Sequence, residues 1–430
     1  MNTERLLSAK PFEICSIRPP TENSSLTFRL TRNCYWNRCA FCPIYKTGTK
    51  FKKRPLEDVK EDIKNARLLD DLLFENGIGV PIYTQTDYSR AASLVSRIEK
   101  AKWEAGVIDR ERSTPLDNST DPRMRWFSNW FIDYPDISDC VNHLLAWRIS
   151  GGRNCFLGDA DSLILKPDYI DGVISEIRLN FPGISRFTIY GRTKTAAEQR
   201  TEKELAAFKK AGLERVHFGI ESGSDTVLKM VNKGETSADH IKGSLKTTGA
   251  GLSSSFYIMP GLGGKALSDE HALETARVIN ESMPDYVRIR TLEIFDGTPL
   301  DEMRRKGDFI EADDDTVALE IKKLVEEINA PLQLLSDSAT NLLQVYGRLP
   351  EDRNNMLSVI DEYLSMDPRE RIEYSLQSRL ASFTGQYGGI SEEVINAIRP
   401  VIKDNSLDFS AASDEEIKSM TAFVKSRLMP

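Results

Sequence analysis

The feature that most constrains the fold is an alternation of short apolar segments and longer amphipathic segments along the middle of the chain. The apolar segments have the length of buried strands, and the segments between them have helical periodicity. The predicted strands are 25–30, 154–157, 187–190, 215–220, 253–259 and 286–292. Because parallel strands need long crossovers, this alternation predicts an α/β fold with helices outside a parallel sheet. Six units are too few for the usual closed barrel of eight, so we expect a partial (β/α)6 barrel.

The pattern also divides the chain into domains. We expect an N-terminal extension over 1–24, the partial barrel over 25–312 and an α-helical C-terminal domain over 313–430. Glycines, prolines and an irregular polar stretch interrupt the alternation at about 75–150, which indicates a helical insertion. From Asp313 onward the pattern is wholly helical, and Asp367 and Ser413 have the sequence context of helix N-caps.

Composition excludes some classes of function. The net charge of −8 argues against a nucleic-acid partner bound by bulk electrostatics. No segment approaches the roughly 18 apolar residues of a membrane helix, and residues 1–20 lack a signal-peptide core. We therefore expect a cytoplasmic protein with no membrane contact. Three of the six cysteines lie within nine residues, which in such a protein indicates a metal site rather than disulfides.

The clustered cysteines are Cys34, Cys39 and Cys42, spaced Cys-x4-Cys-x2-Cys in a loop that follows a predicted strand. Thiolates suit both iron–sulfur clusters and zinc. The loop offers three ligands and no nearby fourth. A cluster held by three cysteines leaves one iron open to an external ligand, whereas structural zinc normally takes four protein ligands. The spacing favours a cluster and leaves zinc as the alternative.

The cysteine motif, with Phe41 as the aromatic residue before the last cysteine, resembles that of the radical S-adenosylmethionine (SAM) superfamily. The usual family pattern is Cys-x3-Cys-x-aromatic-Cys, so the first spacing here is one residue longer. The resemblance covers roughly residues 25–310 and is greatest to the branch of oxygen-independent coproporphyrinogen oxidase and the Elongator catalytic subunit. It implies an oxygen-sensitive [4Fe–4S] cluster, SAM bound at the open iron, and an electron donor such as flavodoxin or ferredoxin.

The resemblance also implies SAM contacts where the second and third strands end. Gly158 permits close backbone approach, and either Asp159 or Asp161 would hold the SAM ammonium group. Arg192 would pair with the SAM carboxylate. The alternatives are an ordinary turn after the second strand and an exposed arginine after the third.

Further contacts are implied at the later strands. Glu221 and Ser222 lie in a Gly-Ile-Glu-Ser segment similar to the family's, in which the acidic residue contacts SAM; a capped helix start is the alternative. Met259 ends the fifth strand, where backbone cradles adenine in the family. Arg288 and Arg290 share one face of the sixth strand and meet SAM or substrate if that face looks into the barrel. If that face points outward, both arginines are solvated charges.

Two functions follow as hypotheses. The first is an enzyme, an oxidoreductase or transferase in which the cluster reductively cleaves SAM to a 5′-deoxyadenosyl radical that abstracts hydrogen from a small organic substrate. Radical methyl transfer is one variant of it. The second is a non-catalytic zinc or iron–sulfur electron-transfer protein. We also expect the C-terminal helices to close the open side of the barrel, with Ser336 and Asp337 facing substrate; a solvated turn is the alternative.

Overall fold

The computed structural model describes residues 3–15, 17–46, 50–79, 85–107, 135–404 and 406–429. Residues 80–84 and 108–134 of the predicted insertion lie outside this part of the chain. The strands are β1 Leu26–Arg29, β2 Thr31–Arg32, β3 Lys52–Lys53, β4 Asn154–Gly158, β5 Arg186–Gly191, β6 Leu213–Glu221, β7 Ser253–Ile258, β8 Tyr286–Ile289, β9 Leu332–Leu335, β10 Gly347–Leu349, β11 Ile402–Lys403 and β12 Ser406–Leu407. The α-helices are Thr3–Ser8, Leu56–Glu75, Gln85–Glu104, Ile137–Ile149, Pro167–Asn180, Glu202–Ala211, Asp225–Met230, Ser237–Gly249, Ser268–Ser282, Pro299–Lys306, Asp314–Glu327, Arg353–Ser365, Pro368–Tyr387, Glu392–Ala397 and Asp414–Lys425.

The main sheet has the strand order β1-β4-β5-β6-β7-β8-β9-β10. Neighbours from β1 to β9 run parallel, and only the last pair, β9 and β10, is antiparallel. Each of the six predicted strands is present, and they are adjacent in chain order. The prediction of an open α/β barrel is confirmed, since the two edge strands, β1 and β10, do not pair with each other.

The core lies between the sheet and its outer helices. Alternate residues of β5 and β6, such as Phe187, Ile189 and Val216, are fully buried against helical residues such as Phe208 and Ile279. Burial of each such side chain stabilises the fold by roughly 1.5–3 kcal/mol. The opposite faces of the same strands point into the barrel, so the outer core holds the strand ends in place around the barrel mouth.

The C-terminal part departs from its wholly helical prediction. β9 and β10 form a hairpin that extends the main sheet, with Val287 of β8 paired in register with Leu334. These strands are only four and three residues long, too short for a clear period-2 pattern. The helices Asp314–Glu327 and Arg353–Ser365 pack into the main core, whereas the helices from Pro368–Tyr387 onward have a separate apolar core. The separate core therefore begins later than the predicted boundary at 313. The predicted N-caps at Asp367 and Ser413 are present, and each forms a capping box.

No helix in the described ranges is both long enough and apolar enough to cross a bilayer.

Candidate functional site

A cavity of about 160 Å³ opens at the carboxyl ends of the parallel strands, where ligands of open α/β sheets gather. It lies between the ends of β5 to β8 and the cysteine loop, which we define as residues 33–46. Its lining includes the predicted residues Cys34, Cys39, Phe41, Cys42, Arg192, Glu221 and Arg290. We call this space the first cavity. Residues that are distant in sequence meet there because successive parallel strands end at one edge of the sheet.

The cysteine loop is held against the barrel by backbone and side-chain hydrogen bonds. Asn33 and Asn37 have left-handed backbone conformations, with φ of 64° and 44°, which let the chain turn twice around the cysteines. The backbone amide of Ala40 donates to the carbonyl oxygen of Val231 at 2.8 Å. Trp36 Nε1 donates to the carbonyl oxygen of Asn232, also at 2.8 Å. The loop is therefore fixed to the segment that follows β6.

The three thiols lie in a partly apolar, partly cationic environment. The pKa of Cys39 is raised to about 12, because burial raises it by more than the nearby Lys233 charge lowers it. Burial also raises the pKa of Cys42. The charges of Cys34 and Cys42 raise the pKa of Cys39, and the charge of Cys34 raises that of Cys42, which shows that the thiols are close to one another. Binding of a metal would have to displace their protons.

The thiols share a cavity without meeting at a single point. Among the described residues, no three His, Cys, Asp or Glu side chains are close enough to hold one metal ion. Zinc needs all its ligands around one ion at about 2.0–2.3 Å. In a cubane, each cysteine binds a different iron atom, so the ligands line a cavity instead. Three soft thiolates that line one cavity fit a [4Fe–4S] cluster, which would keep one iron open to an external ligand.

Glu221 ends β6 at an irregular position. The pairing with β7 shifts register between Gly219 and Glu221, and Glu221 has a φ of 64°. Such irregularities re-aim a side chain at a strand end. The Glu221 carboxylate accepts a hydrogen bond from Lys233 Nζ at 3.1 Å. Burial lowers the pKa of Lys233, but the carboxylates of Glu221 and Glu235 raise it above its usual value, so the lysine stays charged.

Arg192 is buried beside the cysteine loop and already has partners. Its guanidinium lies 3.3 Å from the Glu235 carboxylate and donates to the carbonyl oxygen of Lys233 at 2.7 Å. It also lies over the rings of Tyr35 and Trp36, at 5.5 and 5.2 Å from their centroids. Arg192 therefore braces the loop as well as lining the cavity.

Gly158, Asp159 and Asp161 do not line the first cavity. Asp159 accepts from the Tyr45 hydroxyl at 2.9 Å and lies 3.5 Å from Arg29 Nε. Asp161 accepts from the Thr195 hydroxyl at 2.6 Å, and burial raises its pKa to about 7. A Cβ at Gly158 would overlap the side chain of Cys15, so this glycine serves packing. Both carboxylates are fully buried and engaged in holding the strand end.

Ser222 and Met259 also lie outside the lining. The Ser222 hydroxyl is 2.7 Å from His271 Nδ1 and caps the turn after β6. Met259 is buried in an apolar cluster with Phe41 and Leu262. Met259 thus supports the aromatic residue of the cysteine motif from behind.

A second cavity of about 410 Å³ adjoins the first. The two share Ile17, Tyr190, Tyr257 and Arg290 in their walls. The far wall of the second cavity comes from the C-terminal part of the chain, with lining residues Asp337, Ser338, Ser382, Gly385, Gln386 and Met429. The predicted cover over the barrel mouth is therefore present.

Ser336 and Asp337, which follow β9, differ in position: Asp337 borders a cavity, and Ser336 belongs to a turn. The Asp337 carboxylate pairs with the buried guanidinium of Arg288 and borders the second cavity. The Ser336 hydroxyl instead donates to the carbonyl oxygen of Leu343 at 2.7 Å and belongs to the turn. Arg288 therefore does not line either cavity itself but holds Asp337 at the wall of the second, whereas Arg290 lines both cavities.

Sequence reasoning missed Lys233, Tyr190 and Tyr257 as lining residues. Tyr190 lies two residues before Arg192, so the period-2 rule applied from Arg192 would have placed it on the inward face. Lys233 lies in a turn with no pattern that could have indicated its position.

The chain resembles known proteins over limited stretches. The family model described as the radical SAM superfamily matches residues 126–278, a little over a third of the chain and outside the cysteine loop. A tRNA uridine(34) acetyltransferase of Methanocaldococcus infernus is 31% identical over 117 residues, which are 27% of this chain and 22% of that protein. The enzyme of the same name from Methanocaldococcus jannaschii is 29% identical over 109 residues, 25% of this chain and 20% of that protein. The matched region thus spans about a fifth of these relatives.

Solved structures give weaker likenesses. Elp3 of M. infernus, with its N-terminus deleted, overlaps 49% of this chain and 53% of its own at a TM-score of 0.37 and 19% identity. The cobalamin-dependent SAM radical enzyme OxsB overlaps 94% of this chain and 53% of its own at a TM-score of 0.40 and 13% identity. TM-scores this low do not establish a common fold. The sequence match over residues 126–278 confirms the predicted resemblance to the radical SAM superfamily.

Proposed function

We propose that this protein is a radical SAM enzyme in which the first cavity holds the cluster and SAM and the second cavity holds the substrate. The observation that carries the proposal is the placement of Cys34, Cys39 and Cys42 around one cavity at the strand ends, next to a second cavity with a separate cover. A [4Fe–4S] cluster bound there would supply the electron that cleaves SAM to methionine and a 5′-deoxyadenosyl radical able to remove hydrogen from substrate.

The protein's own side chains would position the cofactors. Glu221 offers carboxylate oxygens to the hydroxyl or ammonium groups of SAM, and Lys233 keeps this carboxylate oriented. Arg290 reaches the first cavity as an available cation for the SAM carboxylate. The C-terminal helices would keep water from the reacting groups. These roles are our proposals for the individual residues.

The proposal has two candidate classes of substrate, a small molecule and tRNA. The second cavity favours a small molecule, because its volume lies in the usual range for small-ligand sites. The names of the two archaeal relatives favour tRNA as a second candidate and weaken the expectation from net charge that no nucleic acid is involved. We further propose that a flavodoxin or ferredoxin supplies the electron.

Anaerobic reconstitution with iron and sulfide tests the proposed function. We expect a brown protein that forms 5′-deoxyadenosine when SAM and dithionite are added, as measured by chromatography. A colourless protein that retains one zinc ion per chain and forms no deoxyadenosine would establish the non-catalytic alternative.

A further inference from the structure

The second cavity has an excess of positive charge that the protein does not neutralise. Arg18 and Arg290 both line it, and neither guanidinium forms an ion pair with a carboxylate among the residues that the structure describes. The Arg18 Nη atoms donate only to the neutral carbonyl oxygens of Cys15 and Asn23, at 2.9 and 3.1 Å. The carboxylate that does line this cavity, Asp337, is already paired with Arg288. Partly buried cations without a counter-charge are unfavourable until an anion binds.

A ligand in the first cavity does not account for this charge. Arg290 borders both cavities, and SAM could take it, but Arg18 borders only the second. Burial lowers the pKa of Arg18, which shows that desolvation of its charge outweighs its local interactions. An anionic group in the second cavity would restore the lost favourable interaction.

The same cavity contains buried polar atoms that lack a partner within the described part of the chain. The hydroxyl oxygen of Tyr257, a residue only 7% exposed, has no hydrogen-bond partner, and neither do Asp337 Oδ1 and Arg18 Nε. A buried group left unpaired costs about 1–3 kcal/mol, so a ligand that pairs these atoms would be stabilised by forming those hydrogen bonds. Ile17, Ile44 and the ring of Tyr190 supply apolar wall between them.

We propose that the second cavity binds a small organic anion, with its carboxylate or phosphate group at Arg18 and a hydrogen-bond donor at Asp337 Oδ1. This inference rests on the proposed function only in naming that anion as the substrate. The apolar wall indicates a carbon skeleton between the two polar ends. The charge on Arg18 selects the anionic form over a neutral analogue of the same shape.

Calorimetry on the reconstituted full chain with SAM present tests this selectivity. The probes are 4-hydroxyphenylacetate, its neutral amide 4-hydroxyphenylacetamide, and 4-hydroxyphenyl phosphate. We expect 4-hydroxyphenylacetate or 4-hydroxyphenyl phosphate to bind at least about tenfold more tightly than the amide, corresponding to about 1.4 kcal/mol. The tighter of the two anions identifies the group as carboxylate or phosphate. Equal affinity for anions and amide, or binding of none of the probes, would overturn the proposal.

Variants locate the binding. Arg18→Gln should reduce the preference for the anion over the amide to less than about threefold, whereas the exposed Arg153→Gln should leave the preference unchanged. An unchanged preference in Arg18→Gln would overturn the assignment of this cavity. Should Arg18→Gln not fold, Ser382→Trp fills the cavity from the helix Pro368–Tyr387 and should abolish anion binding. Deoxyadenosine formation, measured on the same preparations, reports on the proposed function separately from the binding preference.

Discussion

Cys34, Cys39 and Cys42 differ from the other cysteines of the chain in their surroundings. The other three cysteines, Cys15, Cys140 and Cys155, are buried. Burial raises the thiol pKa of each of them, and none lines the first or second cavity. Such thiols behave as small apolar groups, whereas the loop thiols face a shared cavity beside two cations.

Replacing Cys34, Cys39 or Cys42 singly by alanine should prevent cluster assembly, because each loss leaves one more iron without a protein ligand. We expect the iron content after anaerobic reconstitution to fall by more than about tenfold and SAM cleavage to disappear. Cys155→Ala is the control and should retain full iron content. Full iron loading with SAM cleavage in any one loop variant would contradict the assignment.

Glu221→Gln tests the proposed SAM contact at the end of β6. Loss of the carboxylate charge should weaken SAM binding by about tenfold or more, since hydrogen bonds to charged groups contribute roughly 1.5–3 kcal/mol. The iron content should not change. The matched control is Glu214→Gln, an exposed residue of the same strand. Equal SAM affinity by calorimetry in both variants would remove Glu221 from the site.

At the scale of elements, the helix Ile137–Ile149 is tied to β1 by a buried histidine. The backbone amide of Thr27 donates to His143 Nε2 at 3.0 Å, so the ring must remain neutral on this nitrogen. Burial, with a smaller contribution from the Arg18 charge, lowers the pKa of His143 to about 3. β1 leads directly into the cysteine loop, so this contact helps to place the proposed ligands.

The histidine makes the stability of the fold depend on pH. Because the pKa is lower in the folded chain than its usual value of about 6.5, the stabilisation is present above pH 6.5 and is lost as the pH falls towards 3. Between pH 6.5 and 5 this amounts to about 2 kcal/mol of the free energy of unfolding. In His143→Gln, whose side-chain oxygen can accept the same hydrogen bond, the decline measured by urea denaturation should be smaller by that amount. An equal decline in both proteins would contradict the assignment.

At the scale of the whole molecule, the two cavities depend on different parts of the chain. Among the described residues, Arg290 is the last in sequence that lines the first cavity, whereas the second takes Ser382, Gln386 and Met429 from the C-terminal part. The C-terminal helices dock through contacts such as Arg379 Nη2 with the Asp314 carboxylate at 3.0 Å. The hairpin of β9 and β10 instead belongs to the sheet, so a useful truncation must leave it in place.

Deletion of residues 367–430 should therefore separate SAM cleavage from substrate binding. We expect the shortened chain to retain its iron and to form deoxyadenosine within about threefold of the full-length rate, while binding of 4-hydroxyphenylacetate is lost. Circular dichroism and iron content establish that the shortened chain is folded. Retention of anion binding without the C-terminal helices would show that they do not form the second cavity.

Much of the site follows from local sequence. The six strands of the barrel were predictable because apolar periodicity is a local property. The cavity-lining residues Cys34, Cys39, Cys42, Glu221 and Arg290 were predictable from their motif or their strand-end position. The capping boxes at Asp367 and Ser413 are local for the same reason. The two short strands β9 and β10 were not predictable, since a three- or four-residue strand is defined by its neighbours rather than by its own pattern.

The sequence by itself determined the architecture of the barrel and the chemical type of its ligands, because both depend on residue spacing along one segment. Tertiary structure decided which polar side chains are free to bind. Asp159 and Asp161 flank Ala160, which lines the first cavity. Their carboxylates are instead bound by Tyr45 and Arg29 and by Thr195, respectively. Whether a polar side chain can bind a ligand depends on the partners that packing brings to it from distant parts of the chain. The lack of a counter-charge at Arg18 therefore followed from the tertiary structure and not from the sequence.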